Sequence, residues 1–134
     1  MILFIDDEER GIASFVEELK LSKFETTLKK DVNSAFKYLE DNHDKIQLVI
    51  LDVMMPPEDI FKDCDTNDGL RTGVHLHRKI RKSFPNLPII IFTNFTDDEL
   101  EQESNKDNKS RFIHKYDYLP FEFVEEVQQT LSKQ

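Results

Sequence analysis

Leu48-Val49-Ile50-Leu51-Asp52-Val53-Met54-Met55-Pro56 is the stretch that decides the fold. Four apolar residues run into one aspartate, and a proline follows four positions later. An apolar run this short suits a strand buried on both faces, as in a parallel sheet. Pro56 cannot continue such a strand, so the chain turns near Met55. Asp52 is thereby placed at the carboxyl end of a central strand, where ligands bind in open α/β sheets.

Working outward, further apolar runs appear at Ile2–Ile5, at Phe24–Leu28 (a weaker one), at Leu87–Phe92 and at Phe112–Ile113. Helical spacing lies between them. Ile12, Phe15, Val16 and Leu19 share one helix face, and Val32, Ala35, Phe36 and Leu39 share another. Asp31 and Asn33 are both available to cap the second helix. Gly73, Leu76, Ile80 and Phe84 mark a third. Pro120 suits the first turn of a last helix carrying Val124, Val127 and Leu131. Strands alternating with helices predict an α/β fold, a doubly wound parallel sheet of five strands with helices on both faces.

Two stretches break the rhythm. Residues 57–70 exceed an ordinary strand-to-helix connection of about 2–6 residues; they are acidic and carry the turn signal Asn67-Asp68-Gly69. From Thr96 to Arg111, Leu100 is the sole core-forming apolar residue. Asp97, Asp98 and Glu99 favour a helix start, but one leucine anchors little, so a helix of two turns or less is expected, then a mobile loop over 105–110.

The chain has 134 residues and a formal net charge of −9. This length predicts one domain, 1–134, with a sizeable core. The acidic balance disfavours direct binding to nucleic acid. No apolar run approaches the roughly 18 residues of a membrane span, and Met1 leads straight into an apolar strand without a basic leader. With Cys64 the only cysteine, the expected setting is a reducing cytoplasm. His75 and His77 stand two apart on a helix, point to different faces, and are read as surface or partly packed residues rather than metal ligands.

The strand ends carry the chemistry. The first strand ends in Asp6-Asp7, the third in Asp52, the fourth in Thr93-Asn94 and the fifth in Lys115. In a parallel sheet these ends share one edge, which assembles three carboxylates, a hydroxyl and an ammonium in one crevice. Clustered carboxylates repel one another, and a hard divalent cation such as Mg²⁺ compensates them. A carboxylate beside Mg²⁺ and a lysine can attack phosphorus, with the charge on the transferring group neutralised by metal and ammonium.

This constellation resembles the receiver domain of two-component response regulators, the chemotaxis-type fold. The residues that carry the likeness are Asp6-Asp7, Asp52 in Leu-Asp-Val-Met-Met-Pro, Thr93 after Ile-Ile-Ile-Phe, and Lys115 after Phe-Ile-His. The resemblance implies a flavodoxin-like strand order 2-1-3-4-5 and Asp52 as phosphoacceptor. It implies Mg²⁺ (or Mn²⁺) on Asp6, Asp7, Asp52 and the Met54 backbone carbonyl. Thr93 and Lys115 are then contacts of the phosphoryl group, and Thr93 and Phe112 the switch residues. It also implies a histidine kinase or phosphotransfer protein as donor, a downstream protein target, a monomer or weak dimer, and slow autodephosphorylation. The alternative is a receiver-like protein-binding module that carries no phosphate in the cell. A haloacid-dehalogenase-type phosphatase is disfavoured because Met54 stands where that family has a second aspartate. No glycine-rich phosphate loop is present.

The sequence departs from the family at three places. Gly73, at the family's glycine-containing helix start, follows Asp52 after an insertion of about thirteen residues, for which a lid over Asp52 or a docking element is the functional reading. No proline follows Lys115 directly, which lengthens the connection to the last helix. Asn94 replaces a commonly small residue. Met54 and Phe95 occupy positions that tune attack by water, and apolar groups there predict a slowly hydrolysing aspartyl phosphate.

Overall fold

The computed structural model describes residues 1–133. In chain order the elements are β1 (Ile2–Ile5), α1 (Glu9–Leu21), β2 (Thr26–Lys29), α2 (Val32–Asn42), β3 (Leu48–Leu51), α3 (Thr72–Ser83), β4 (Ile89–Thr93), α4 (Asp98–Lys106), β5 (Ser110–His114) and α5 (Pro120–Ser132). All strand pairs are parallel, and the order across the sheet is β2-β1-β3-β4-β5.

Burial follows from this order. β1, β3 and β4 lie inside the sheet and are buried at every residue, as their unbroken apolar runs require. The edge strands β2 and β5 are mixed in sequence and largely half-buried. Alternate strand residues feed two cores. Leu3, Ile5, Val49, Leu51, Ile89 and Ile91 face α2 and α3, together with Leu100 of α4. Ile2, Phe4, Leu48, Ile50, Ile90 and Phe92 face α1 and α5. In the second core Phe92 stacks on Phe123 at 4.4 Å between ring centroids and meets Phe15 edge-on at 4.9 Å, geometries that suit the ring quadrupole.

Asp31 caps α2 by accepting the Ser34 N–H at 2.8 Å. Asn33 has a different use. Its side-chain oxygen accepts the Ile60 N–H, and its own N–H donates to Glu58. Both bonds reach into the insertion, whose Phe61 is 4 % exposed and packs into the first core. The loop also closes on itself, because the Met55 N–H donates to the Gly69 carbonyl. The insertion is therefore a pinched appendage with one aromatic anchor.

The Thr96–Arg111 stretch corrects the expectation drawn from its single leucine. α4 runs for nine residues, and β5 begins at Ser110. Apolar anchoring is sparse, as one leucine implies, but α4 is also held by charge. Arg71 pairs with Asp97 and Glu99, Arg78 with Glu99 and Glu103, and Arg81 with Asp107. The expected mobile loop is a tied turn: the Asp107 carboxylate accepts from Arg81 Nε, Ser110 Oγ and the Lys109 N–H. His77, read as surface or partly packed, is buried at 4 % exposure, with Nε2 2.9 Å from Ser110 Oγ. His75 lies partly exposed, with Nε2 2.7 Å from the Asp65 carbonyl oxygen.

Candidate functional site: an acidic crevice at the strand ends

Parallel strands in register deliver Asp6, Asp52, Thr93 and Lys115 to one edge. Ile5 pairs with Leu51, Leu51 with Ile91, and Thr93 with His114, so each functional residue stands at or one step past a strand end. α3 approaches that edge closely. The Gly73 N–H donates to the Val53 carbonyl at 2.8 Å, and a Cβ on Gly73 would lie 2.3 Å from the Asp52 carbonyl oxygen. Only glycine fits there, which explains why a glycine opens α3 although it arrives late in the sequence.

Asp6 is fully buried and Asp52 nearly so, while Asp7 is exposed. One carboxylate oxygen from each of the three lies within 4.8 Å of the others. Lys115 Nζ donates to Asp6 Oδ2 at 2.7 Å and to Asp52 Oδ2 at 3.4 Å. The other oxygens are fixed by backbone: Asp6 Oδ1 accepts the Glu8 N–H at 2.8 Å and Asp52 Oδ1 the Val53 N–H at 2.7 Å. Lys115 opens a short 3-10 turn, Lys115–Asp117. That turn brings the ammonium to the carboxylates without a proline after it.

The charges do not balance. Burial, then the neighbouring Asp52 charge, push Asp6 up to about 6 despite Lys115. Burial also raises Asp7, and its backbone hydrogen bond only partly opposes this. Burial alone would lower the Lys115 pKa, but Asp52 and Asp6 together outweigh it and hold the ammonium above its usual value. Three carboxylates around one permanent ammonium leave an excess of negative charge among oxygen donors. This donor set fits a hard divalent cation of the Mg²⁺ type, and Asp6, Asp7 and Asp52 are the residues positioned to hold it.

A cleft of about 780 Å³ opens over the cluster. Asp7, Asp52, Thr93 and Lys115 line its floor; Met54, Asn94 and Phe95 line it further, and Asp68, Gly69 and Leu70 of the insertion form part of its wall. Thr93 Oγ1 accepts the Phe95 N–H at 3.1 Å, which leaves the hydroxyl proton free to donate. Phe112, the proposed switch aromatic, lies outside the cleft. It is half-buried against the first core, with its ring 5.2 Å from that of His114. The insertion thus stands beside Asp52, where the sequence led us to expect a lid or docking element; the residue that sequence reading missed is Arg71. Arg71 Nε donates to Asp97 at 2.7 Å and so ties the exit of the insertion to the loop after Thr93. The signal was present as arginines at 71, 78 and 81 facing acidic residues at 97, 99, 103 and 107.

A sheet in this order, with an acidic triad and a lysine at its carboxyl edge, is the arrangement of a receiver-type α/β domain. The family model of the response regulator receiver domain matches residues 2–117, and the chain belongs to that family. Solved structures agree in fold. A response regulator receiver domain protein from Clostridium thermocellum superposes with a TM-score of 0.78 at 20 % identity, covering 98 % of this chain and 94 % of that one. The receiver domain of NtrX from Brucella abortus gives 0.76 at 22 % identity, with full coverage of both chains. A CheY-like receiver protein from Methanospirillum hungatei gives 0.76 at 18 % identity, covering 98 % and 93 %. No sequence among the curated proteins matches significantly. No helix among the described residues is long and apolar enough to cross a membrane.

Proposed function

We propose that this chain is a single receiver domain that accepts a phosphoryl group on Asp52 from a phosphohistidine of a histidine kinase or phosphotransfer protein. The observation that carries this reading is Lys115 Nζ bridging Asp6 and Asp52 on the floor of an open cleft, with Asp7 beside them. In the transfer, a carboxylate oxygen of Asp52 bonds to phosphorus as the bond from phosphorus to the donor imidazole nitrogen breaks. The electron pair stays on the imidazole, which takes a proton. Lys115 neutralises charge on the incoming group, and the free Thr93 hydroxyl donates to one of its oxygens. Asp6, Asp7, Asp52 and the Met54 carbonyl would hold Mg²⁺ (or Mn²⁺), which would supply further charge neutralisation.

The output is a change of surface read by a downstream protein in the cytoplasm, with Thr93 and Phe112 carrying the change. The net charge of −9 disfavours nucleic acid as the direct target. Met54 and the half-buried Phe95 line the approach to Asp52, so water reaches the aspartyl phosphate poorly and its hydrolysis is slow.

The test is intact mass after incubation with acetyl phosphate and Mg²⁺. The expected result is one added phosphoryl group on the native chain, persisting for minutes after the donor is removed, and none on Asp52→Asn. An unlabelled native chain would overturn the reading in favour of a binding module that carries no phosphate. Decay within seconds would overturn the slow hydrolysis alone.

A further inference from the structure

The insertion places one specific charge at the mouth of the cleft. Asn67, Asp68 and Gly69 have φ values of 51°, 56° and 90°, three successive left-handed residues. Such a run persists only where its surroundings over-determine it, and here they do. The Gly69 N–H donates to Thr66 Oγ1, and the Asn67 N–H to Asp65 Oδ1. The Leu70 N–H donates to the Asn67 carbonyl, the Arg71 N–H to the Thr66 carbonyl, and the Met55 N–H to the Gly69 carbonyl. Thr66 and Gly69 are buried within this turn, whereas Asp68 is exposed and lines the cleft with Asp7, Glu8, Asp52 and Lys115. The insertion's other acidic residues, Glu58, Asp59, Asp63 and Asp65, are absent from that lining. Asp68 therefore adds, on a fixed backbone, a fourth carboxylate to the lining of an opening that contains one ammonium.

We propose that Asp68 is a specificity-determining residue for the phosphoryl donor, a wall charge that disfavours small dianionic donors entering from solvent. The inference rests on the phosphoacceptor reading above. A free acyl phosphate must bring its whole charge past Asp68 with nothing else to hold it. A donor carried on a protein surface brings additional contacts that offset the repulsion. The chemistry with the small donor is simple: an Asp52 oxygen bonds to phosphorus, the bond from phosphorus to the acyl oxygen breaks, and acetate leaves with the electron pair. Asp68 takes no part in the bond changes. It acts on the encounter, through a field that salt screens.

Asn is tolerated in left-handed backbone, so Asp68→Asn removes the charge and keeps the turn. At low ionic strength this variant should be labelled by acetyl phosphate two- to five-fold faster than the native chain, the size expected for a dianion passing one charge within about 10 Å in a high dielectric. The gain should shrink in 0.5 M salt. It should also be smaller for phosphoramidate, a zwitterion of lower net charge. Asp63→Asn makes the same change in net charge away from the cleft and should leave the acetyl phosphate rate at the native value. Equal rates for Asp68→Asn and the native chain, or equal gains for Asp63→Asn and Asp68→Asn, would overturn the wall while leaving Asp52 as acceptor. If neither donor labels Asp52, the acceptor reading fails, and the wall is then judged on Mg²⁺ binding by calorimetry. Asp68→Asn weakens that binding about two-fold if the charge faces the cleft; an unchanged affinity refutes it.

Discussion

Gly73 and Gly11 show how one residue type has opposite meanings on the same fold. A methyl group on Gly73 would lie 2.3 Å from the Asp52 carbonyl oxygen and 2.5 Å from Val53 Cα, and both atoms are backbone. Nothing there can rotate aside, so α3 must retreat from the end of β3. Overpacking of this kind costs about 1–3 kcal/mol, and it displaces the segment that carries Asp52, the proposed phosphoacceptor. A methyl on Gly11 meets only the Glu8 Cβ at 3.7 Å, on an exposed face of α1. Gly73→Ala should therefore lower the urea midpoint by an amount equivalent to about 1–3 kcal/mol and slow labelling of Asp52. Gly11→Ala should hold or raise stability by about 0.5–1 kcal/mol, because it removes freedom from the unfolded chain within a helix. The reverse ranking would mean that the close approach of α3 to β3 is not what Gly73 provides.

At the scale of elements, α4 is the unusual one, because it is fastened to α3 by ion pairs as well as by sparse apolar contact. Asp97 combines two roles: it caps α4 by accepting the Leu100 N–H at 3.0 Å and receives Arg71 at 2.7 Å. Burial opposes its charge, but Arg71 and the cap hold its carboxyl below the ordinary range. Asp107 is held low in the same way, with Ser110, Lys109 and Arg81 outweighing burial. Both groups contribute stability that is present above the unfolded value of 3.8 and is lost as pH falls through their folded values. His77 acts in a separate window. Burial, then the Arg81 charge, depress its pKa below 6.5, with Arg78 adding to the effect and Asp107 and Glu103 opposing it. The unfolded chain therefore takes up this proton first, and stability is lost as pH falls below about 6.5. Asp6, raised to about 6, acts with the opposite sign between 3.8 and 6, so the net curve mixes the two. Subtracting the urea midpoints of His77→Gln from those of the native chain isolates the histidine. The difference should be flat above pH 7 and should move against the native chain as pH falls toward 5.5; a flat difference throughout would show that His77 is not held neutral. These charges also mark where sequence reading ran out. Uniform apolar runs in β1, β3 and β4 announce buried strands, and a strand-end aspartate needs only its neighbours to be placed. A seam of arginines against acids 21 to 28 positions away has no local period, so pairing across α3 and α4 emerges only once the sheet has set both helices side by side.

For the molecule as a whole, the two cores are unequal in what they tolerate. The core under α1 and α5 is a closed cluster of Phe4, Phe15, Phe92 and Phe123 around one sheet face. The core under α2 and α3 also admits Phe61, which comes from the insertion and not from the main layers. Opening of the insertion is expected to leave that core closed, because the Met55–Gly69 bond ties the ends of the loop together. Removing a packed phenylalanine ordinarily costs about 3–5 kcal/mol, and Phe92→Ala should show that full loss. Phe61→Ala should cost less, about 1–2 kcal/mol, since the loss is capped at the free energy that seats the loop, after which the loop opens locally and the two cores stay closed. The same opening should expose residues 57–68 to proteases, so limited proteolysis should nick Phe61→Ala in that segment well before the native chain, with the two fragments remaining associated. A loss of 3–5 kcal/mol without such nicking would mean instead that the loop is an integral part of the first core. The position of Asp68 would then depend on the whole fold and not on the turn at Thr66–Arg71 that holds it beside the cleft.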